Sequence, residues 1–160
     1  MGFVRLAHYI YKVALPALLL AACQPSAEEY HTFLRTPDKG WTRRDTLSYK
    51  LPLQKNDIPC QIDVELRHSS MYPYRSIWLL VAHNEQDSTA FRTDTIECVL
   101  TDEAGLFDGA GVNDLYQKRF PLMRTNLKAK TSPTFKITHY MKDKRIKGIQ
   151  DVGIRVYAMP

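Results

Sequence analysis

The sequence offers little from which to build a catalytic or metal-binding centre. Its five histidines, His8, His31, His68, His83 and His139, form no HxH or HExxH pair, the spacings that aim two imidazoles at one zinc ion. It has no GxSxG, no cysteine–histidine signature and no phosphate-cradling glycine loop, and so lacks the usual arrangements for nucleophilic or phosphoryl chemistry. These absences predict a protein that is not an enzyme and carries no catalytic residue, metal or cofactor. Long apolar runs are also missing: the longest, Val13–Ala22, is ten residues, about half of the roughly 20 that a membrane-spanning helix needs. Nor does one sign of charge dominate. The 22 basic and 17 acidic side chains give a net charge of +5 and are interspersed, which is no footprint for nucleic acid.

The short apolar run has a different use. Arg5 and Lys12 precede it without an acid, the shape of a secretory signal peptide. It ends in "LAAC", Leu20 to Cys23, with Ala21 and Ala22 directly before the cysteine. This tetrapeptide resembles the lipobox of bacterial lipoproteins. The resemblance implies that the Cys23 thiol receives a diacylglyceryl group, that residues 1–22 are removed as a signal peptide and that the new amino terminus is acylated. A thiolate suits that transfer as a good nucleophile. Two or three acyl chains, at about 0.8 kcal/mol per buried methylene, hold a protein stably on a membrane where one chain does not.

Removing the signal leaves about 138 residues with a net charge of +3, one domain of ordinary size. Residues 23–44 lack apolar periodicity and contain Pro25, Pro37 and Gly40. They are expected to form the lipidated cysteine and a tether with an irregular lead into the domain. The domain proper is then expected over 45–160.

Within it the apolar residues alternate with the period of strands. Leu47, Tyr49, Leu51 and Leu53 share one phase; Cys60, Ile62, Val64 and Leu66 share another, with Gln61, Asp63, Glu65 and Arg67 on the outward phase. Ser76–His83 is apolar on both phases, Thr93–Thr101 places Ile96, Cys98 and Leu100 together, and Thr134–Met141 and Asp151–Met159 alternate again. A weaker strand around Arg119–Met123 contains Pro121, which restricts it to an edge or a bulge. Gly111–Gln117 is the single helical candidate, as one turn. Seven or so short strands separated by turn signals predict an all-β fold, an antiparallel two-sheet sandwich of jelly-roll or immunoglobulin-like kind.

Candidate chemistry is sparse. Cys60 and Cys98 fall on inward phases of an exported chain; a disulfide between the sheets and two buried thiols are both open readings. Asp102, Glu103, Asp108 and Asp114 interleave with Gly105, Gly109 and Gly111. Carboxylates so interleaved could surround a calcium ion, although their spacing is not that of an EF-hand and tight turns account for the glycines as well. Trp78, inside an apolar strand, is expected to close the core, whereas Tyr72 and Tyr74 suit either the core or an exposed platform for a glycan or peptide. Arg155 alternates with Ile154 and Val156 and is expected to face outward and pair with an acid on a neighbouring strand. Asp151, four residues away, is about 13 Å distant and too far.

Three segments in order, "MYPYRSIWLLV", "DTIECVLTDEAGLFDGAGVNDLYQKRFPL" and "HYMKDKRIKGIQDVGIRV", resemble the GldH gliding-motility lipoproteins of Bacteroidetes. The resemblance rests on Tyr72, Pro73 and Tyr74, on Gly105, Phe107, Gly109 and Gly111, on Met141 and Lys142, and on the closing run Gly148 to Arg155. Phe107 and Lys142 stand where that family usually has Trp and Arg. It implies a non-enzymatic accessory protein, bound to a membrane through its lipid, facing the periplasm or displayed at the surface. Its partners would be envelope proteins of the gliding or type IX secretion machinery. Tyr72, Tyr74, Phe107, Gly109, Gly111 and Arg155 are the candidate partner-binding residues. A glycan-binding envelope module using the same tyrosines is the alternative.

Overall fold

The computed structural model describes residues 28–52, 54–84, 89–108 and 110–159. Cys23, Leu53 and Gly109 lie outside the described residues. The described residues form eleven strands: β1 (Glu28–Arg35), β2 (Trp41–Thr42), β3 (Leu47–Lys50), β4 (Ile58–His68), β5 (Ser76–His83), β6 (Arg92–Val99), β7 (Ala110–Val112), β8 (Leu115–Leu127), β9 (Thr134–His139), β10 (Arg145–Ile146) and β11 (Ile149–Ala158). They form a five-stranded sheet in the order β1-β11-β4-β8-β7, a four-stranded sheet β3-β9-β5-β6 and a two-stranded ribbon β10-β2. Every pairing is antiparallel. The expected all-β sandwich is the observed fold.

Alternation builds its core. Ile62, Val64 and Leu66 of β4 and Val152, Ile154 and Val156 of β11 face Ile77, Leu79 and Val81 of β5 and Phe135 and Ile137 of β9, all fully buried. The Tyr49 hydroxyl on β3 donates to the Val152 carbonyl at 2.7 Å, tying the two sheets across that core.

Four expectations are corrected. Residues 28–44 are not all tether: β1 pairs along β11 from Glu28↔Tyr157 to Arg35↔Asp151, and β2 pairs with β10. Its edge position lets β1 join the sheet without an apolar signature of its own. The segment 111–117 is no helical turn but a hairpin, because Asn113 (φ 49°) and Asp114 (φ 65°) take the two left-handed positions between β7 and β8 that a two-residue type I′ turn requires. Trp78 does not close the core and is 41% exposed. Once Ile77, Leu79 and Val81 point inward, the pleat sends Trp78 to the opposite face. Trp41 fills the interior instead, its Nε1 donating to the Asp45 carbonyl at 2.7 Å.

Of the two readings open for the cysteines, the buried thiols are the ones found. Cys60 and Cys98 are both buried, on β4 and β6 of different sheets, and no disulfide joins them. The fourth correction concerns Gln61, Asp63 and Glu65, which take the outward phase as expected yet are buried, the two acids being only 1% exposed. β4 lies between β11 and β8, whose long polar side chains fold over it. Pro121 sits at a bulge, as its missing N–H demands: the β4–β8 register shifts between Ile62↔Met123 and Asp63↔Pro121.

The pairing also sorts the loops. Glu28, Ala158, Ile58 and Leu127 mark one end of the five-stranded sheet, and Arg35, Ile149, His68 and Tyr116 mark the other. The chain therefore comes into the domain at the first end. The loops 36–40, 69–75, 113–114 and 147–148 leave from the second.

Candidate functional site

The second end gathers most of the singled-out residues. His68, the last residue of β4, is fully buried at the centre of an aromatic group. Its ring stacks on Tyr116 with centroids 5.5 Å apart, lies 4.8 Å from Phe107 and 6.3 Å from Tyr72. Phe107 and Tyr116 are themselves 5.0 Å apart, and Tyr72 meets Tyr74 edge-on at 5.6 Å. Gly111 is exposed on β7, and a Cβ built there would lie 3.0 Å from Tyr116 Cδ1. Segments distant in sequence are thus joined through His68 and Tyr116. Sequence reasoning missed both, although His68 continues the inward phase of Ile62, Val64 and Leu66 and Tyr116 follows an Asn-Asp turn pair.

Backbone geometry explains the tightness of this end. Gly148 takes φ +87°, and a Cβ built there would lie 2.4 Å from the Tyr72 backbone nitrogen. No residue with a side chain fits that approach. The Ser69 N–H donates to the Gly148 carbonyl at 2.8 Å, pinning the 69–75 loop to the start of β11. Beside this junction a cleft of about 320 Å³ opens between Thr36–Gly40, Ser69, Met71 and Lys147–Gln150.

The polar groups here have defined states. His68 Nδ1 donates toward the Ser69 carbonyl at 3.3 Å, and its buried Nε2 has no hydrogen-bond partner among the described residues. Burial therefore holds the imidazole below its ordinary pKa. Tyr72 is buried and donates to the Ser76 carbonyl at 2.8 Å; burial pushes its hydroxyl up. Tyr74 is 37% exposed and donates to the Asp143 carboxylate, a bond that raises its own pKa. The two tyrosines differ in role: Tyr72 belongs to the interior, and Tyr74 ties the surface to the 140–144 loop. The carboxylates of the glycine loop diverge. Asp102 caps Leu106 N at 2.9 Å, Asp108 pairs with Lys118 at 2.7 Å, and Asp114 accepts from Ser70 N at 3.0 Å.

Arg155 is not part of this end. It lies on the outer face of the five-stranded sheet, opposite Asp63 in register, and its Nη1 is 3.5 Å from Glu65 Oε1. The pairing with an acid on a neighbouring strand is therefore found. Glu65 also accepts from Arg119 Nε at 3.2 Å and from Gln117 Nε2 at 2.9 Å, and His31 Nε2 lies 3.2 Å from its other oxygen. A carboxylate so covered is stable because its charge is met on several sides.

Fold and site together define an all-β sandwich domain that the chain enters at one end and whose motif loops are packed around aromatic side chains at the other. The chain belongs to the GldH lipoprotein family, whose defining pattern matches residues 28–156. No curated relative matches the sequence. Among solved structures the chain is similar to Eiger TNF from S. frugiperda, at 7% identity over 81% of this chain and 92% of that one, with a TM-score of 0.38. Membership of a lipoprotein family implies attachment to a membrane of the cell envelope.

Proposed function

We propose that this chain is a non-enzymatic accessory lipoprotein, anchored through acylated Cys23, that docks onto envelope proteins of the gliding or type IX secretion machinery. The observation that carries the reading is the convergence of Tyr72, Tyr74, Phe107 and Gly148 on the sheet end opposite to Glu28. Residues that resemble the family's own motif meet at one end of the sandwich, although 76 positions separate Tyr72 from Gly148. Only four residues lie between Cys23 and Glu28, a span of at most about 18 Å. Anchoring at Cys23 would hold the Glu28 end against the bilayer and turn the motif end away from it, toward other proteins. β1 alone, eight residues long, separates the two ends by about 25 Å.

The test is in-cell crosslinking and affinity capture from the native envelope, with full-length protein and its Cys23→Ala variant. Capture of gliding or secretion components by the lipidated form alone is the expected result. Membrane association unchanged in Cys23→Ala would overturn the anchor, and recovery of glycan without a protein partner would overturn the docking role.

A further inference from the structure

We infer that a basic cleft beside the motif end is the docking site for an acidic, Asp- or Glu-rich segment of a partner protein. The cleft measures about 500 Å³ and is lined by Thr42, Arg43, Arg44, Lys144 and Arg145. Its walls are the short β2–β10 ribbon, in which Arg145 pairs with Thr42. Four cations around one opening repel one another, and together they leave an excess of positive charge at the cleft that draws anions to it.

Two of the four are held in place by the backbone. Arg43 donates from Nε to the Met141 carbonyl at 2.9 Å and from Nη2 to the carbonyls of Met141 and Lys142. Arg145 donates from Nη1 to the Lys39 carbonyl at 3.2 Å. Its stem runs over Gly40, where a Cβ would lie 2.9 Å from Arg145 Cγ and where φ is +99°. Carbonyl bonds orient a guanidinium without neutralising its charge, so both cations stay electrostatically available. Arg44 and Lys144 have no carboxylate partner among the described residues.

Two acids stand beside these four cations: Asp45 follows Arg44 and feels the charge of Arg145, and Asp143 precedes Lys144, so the cations outnumber the acids two to one and both acids are already hydrogen-bonded. Asp45 accepts from Thr42 N and Thr42 Oγ1, both at 2.8 Å, and these bonds hold its pKa below the ordinary value. Asp143 accepts the Tyr74 hydroxyl. That bond makes Tyr74 a positioning residue: it fixes the loop that delivers Lys144 and Arg145.

Charge and position select the occupant. Because carbonyls already engage part of each guanidinium fork, the remaining N–H groups suit several separate carboxylates better than one bidentate phosphate. The ribbon joins β1 and β11 at the Arg35–Ile149 end, away from Glu28, where the chain comes in. Lipid headgroups of the anchoring membrane are at the wrong end, whereas the acidic face of a docked protein is at the right one. This deepens the docking role proposed above and rests on it for the orientation.

The test uses the full-length lipoprotein in phosphatidylcholine nanodiscs. Fluorescein-labelled hexaglutamate is titrated by anisotropy, and phosphatidylglycerol vesicles and inorganic phosphate compete. Saturable binding of the peptide is expected, weakening several-fold between 50 and 300 mM salt as exposed charges are screened. Arg44→Glu with Lys144→Glu should reduce affinity at least tenfold with no change in melting temperature. Lys50→Glu with Lys55→Glu, placed away from the cleft, should not. Absence of saturable binding, equal loss in both charge-reversed pairs, or displacement by vesicles or phosphate in preference to free hexaglutamate would overturn the inference. Those outcomes leave the crosslinking result untouched. Loss of envelope crosslinks with peptide binding intact would instead remove the proposed function and keep the cleft.

Discussion

Arg155 on β11 stands 3.5 Å from Glu65 on β4, guanidinium Nη1 to carboxylate Oε1, on the outer face of the five-stranded sheet. The relationship is asymmetric, because Glu65 is 1% exposed and collects four side chains whereas Arg155 is one of those four. Glu65→Ala should cost about 1.5–3 kcal/mol, the scale of hydrogen bonds lost to a charged group, because the partners left behind are partly exposed and can turn to water. Arg155→Ala should cost clearly less, because Arg119, Gln117 and His31 still cover the carboxylate. Urea unfolding of both variants decides the matter, and equal losses would mean that Glu65 is not the hub.

Gly148 is the tightest point of the motif end. An alanine there meets the Tyr72 backbone and adds about 1–2 kcal/mol of left-handed strain to about 1–3 kcal/mol of overpacking. Gly148→Ala should therefore lower stability in denaturant titrations and raise hydrogen exchange first at Ser69 N, which donates to the Gly148 carbonyl. A variant as stable as the parent would show that the 69–75 loop can move away freely.

Trp41 and Trp78 form a matched contrast. Trp41 is fully buried with its indole N–H bonded, and Trp78 is 41% exposed. Trp41→Ala should cost about 3–5 kcal/mol, whereas Trp78→Ala should stay within about 1 kcal/mol, as surface changes do. In the native protein, acrylamide should quench Trp78 and spare Trp41, read from the two single-tryptophan variants with Phe at the other position.

Acid should weaken the fold through two buried histidines. Burial lowers the folded-state pKa of His68, and of His139, where Arg43 adds to the effect. The unfolded chain, with a histidine pKa of about 6.5, then binds more protons than the native state over that window. This stability is fully present above pH 6.5 and is lost as pH falls through the folded-state values. The melting temperature should drop between pH 7 and pH 5, and His68→Phe should make that drop shallower. An unchanged slope in the variant would place the acid sensitivity in other groups.

The strand phases of β3, β4, β9 and β11 could be read in advance because each strand's alternation is a local property of its own residues, whereas β5, apolar on both phases, hid which face Trp78 takes. The bulge at Pro121 was readable for the same reason, a missing N–H in one residue. β1 was not: as an edge strand it borrows its partner's hydrogen bonds and needs no apolar stripe. The hairpin at Asn113–Asp114 was mistaken for a helical turn because seven residues of mixed polarity carry no usable period.

For the site, the chemistry-bearing residues were visible but their grouping was not. Tyr72, Tyr74 and Phe107 stood out by type, and His68 and Tyr116, which join them, did not. The basic cleft likewise depends on Arg43 and Arg44 meeting Lys144 and Arg145 across about 100 positions of chain.

By itself, then, the sequence determined the β class and the membership of its family, since composition and period are carried by neighbouring residues. Tertiary structure alone decided that Glu65 is buried on a polar face, that Trp78 is outside and Trp41 inside, and which loops share an end. Those outcomes depend on strand order and register, which are settled by long-range pairing and packing between segments that the sequence keeps apart.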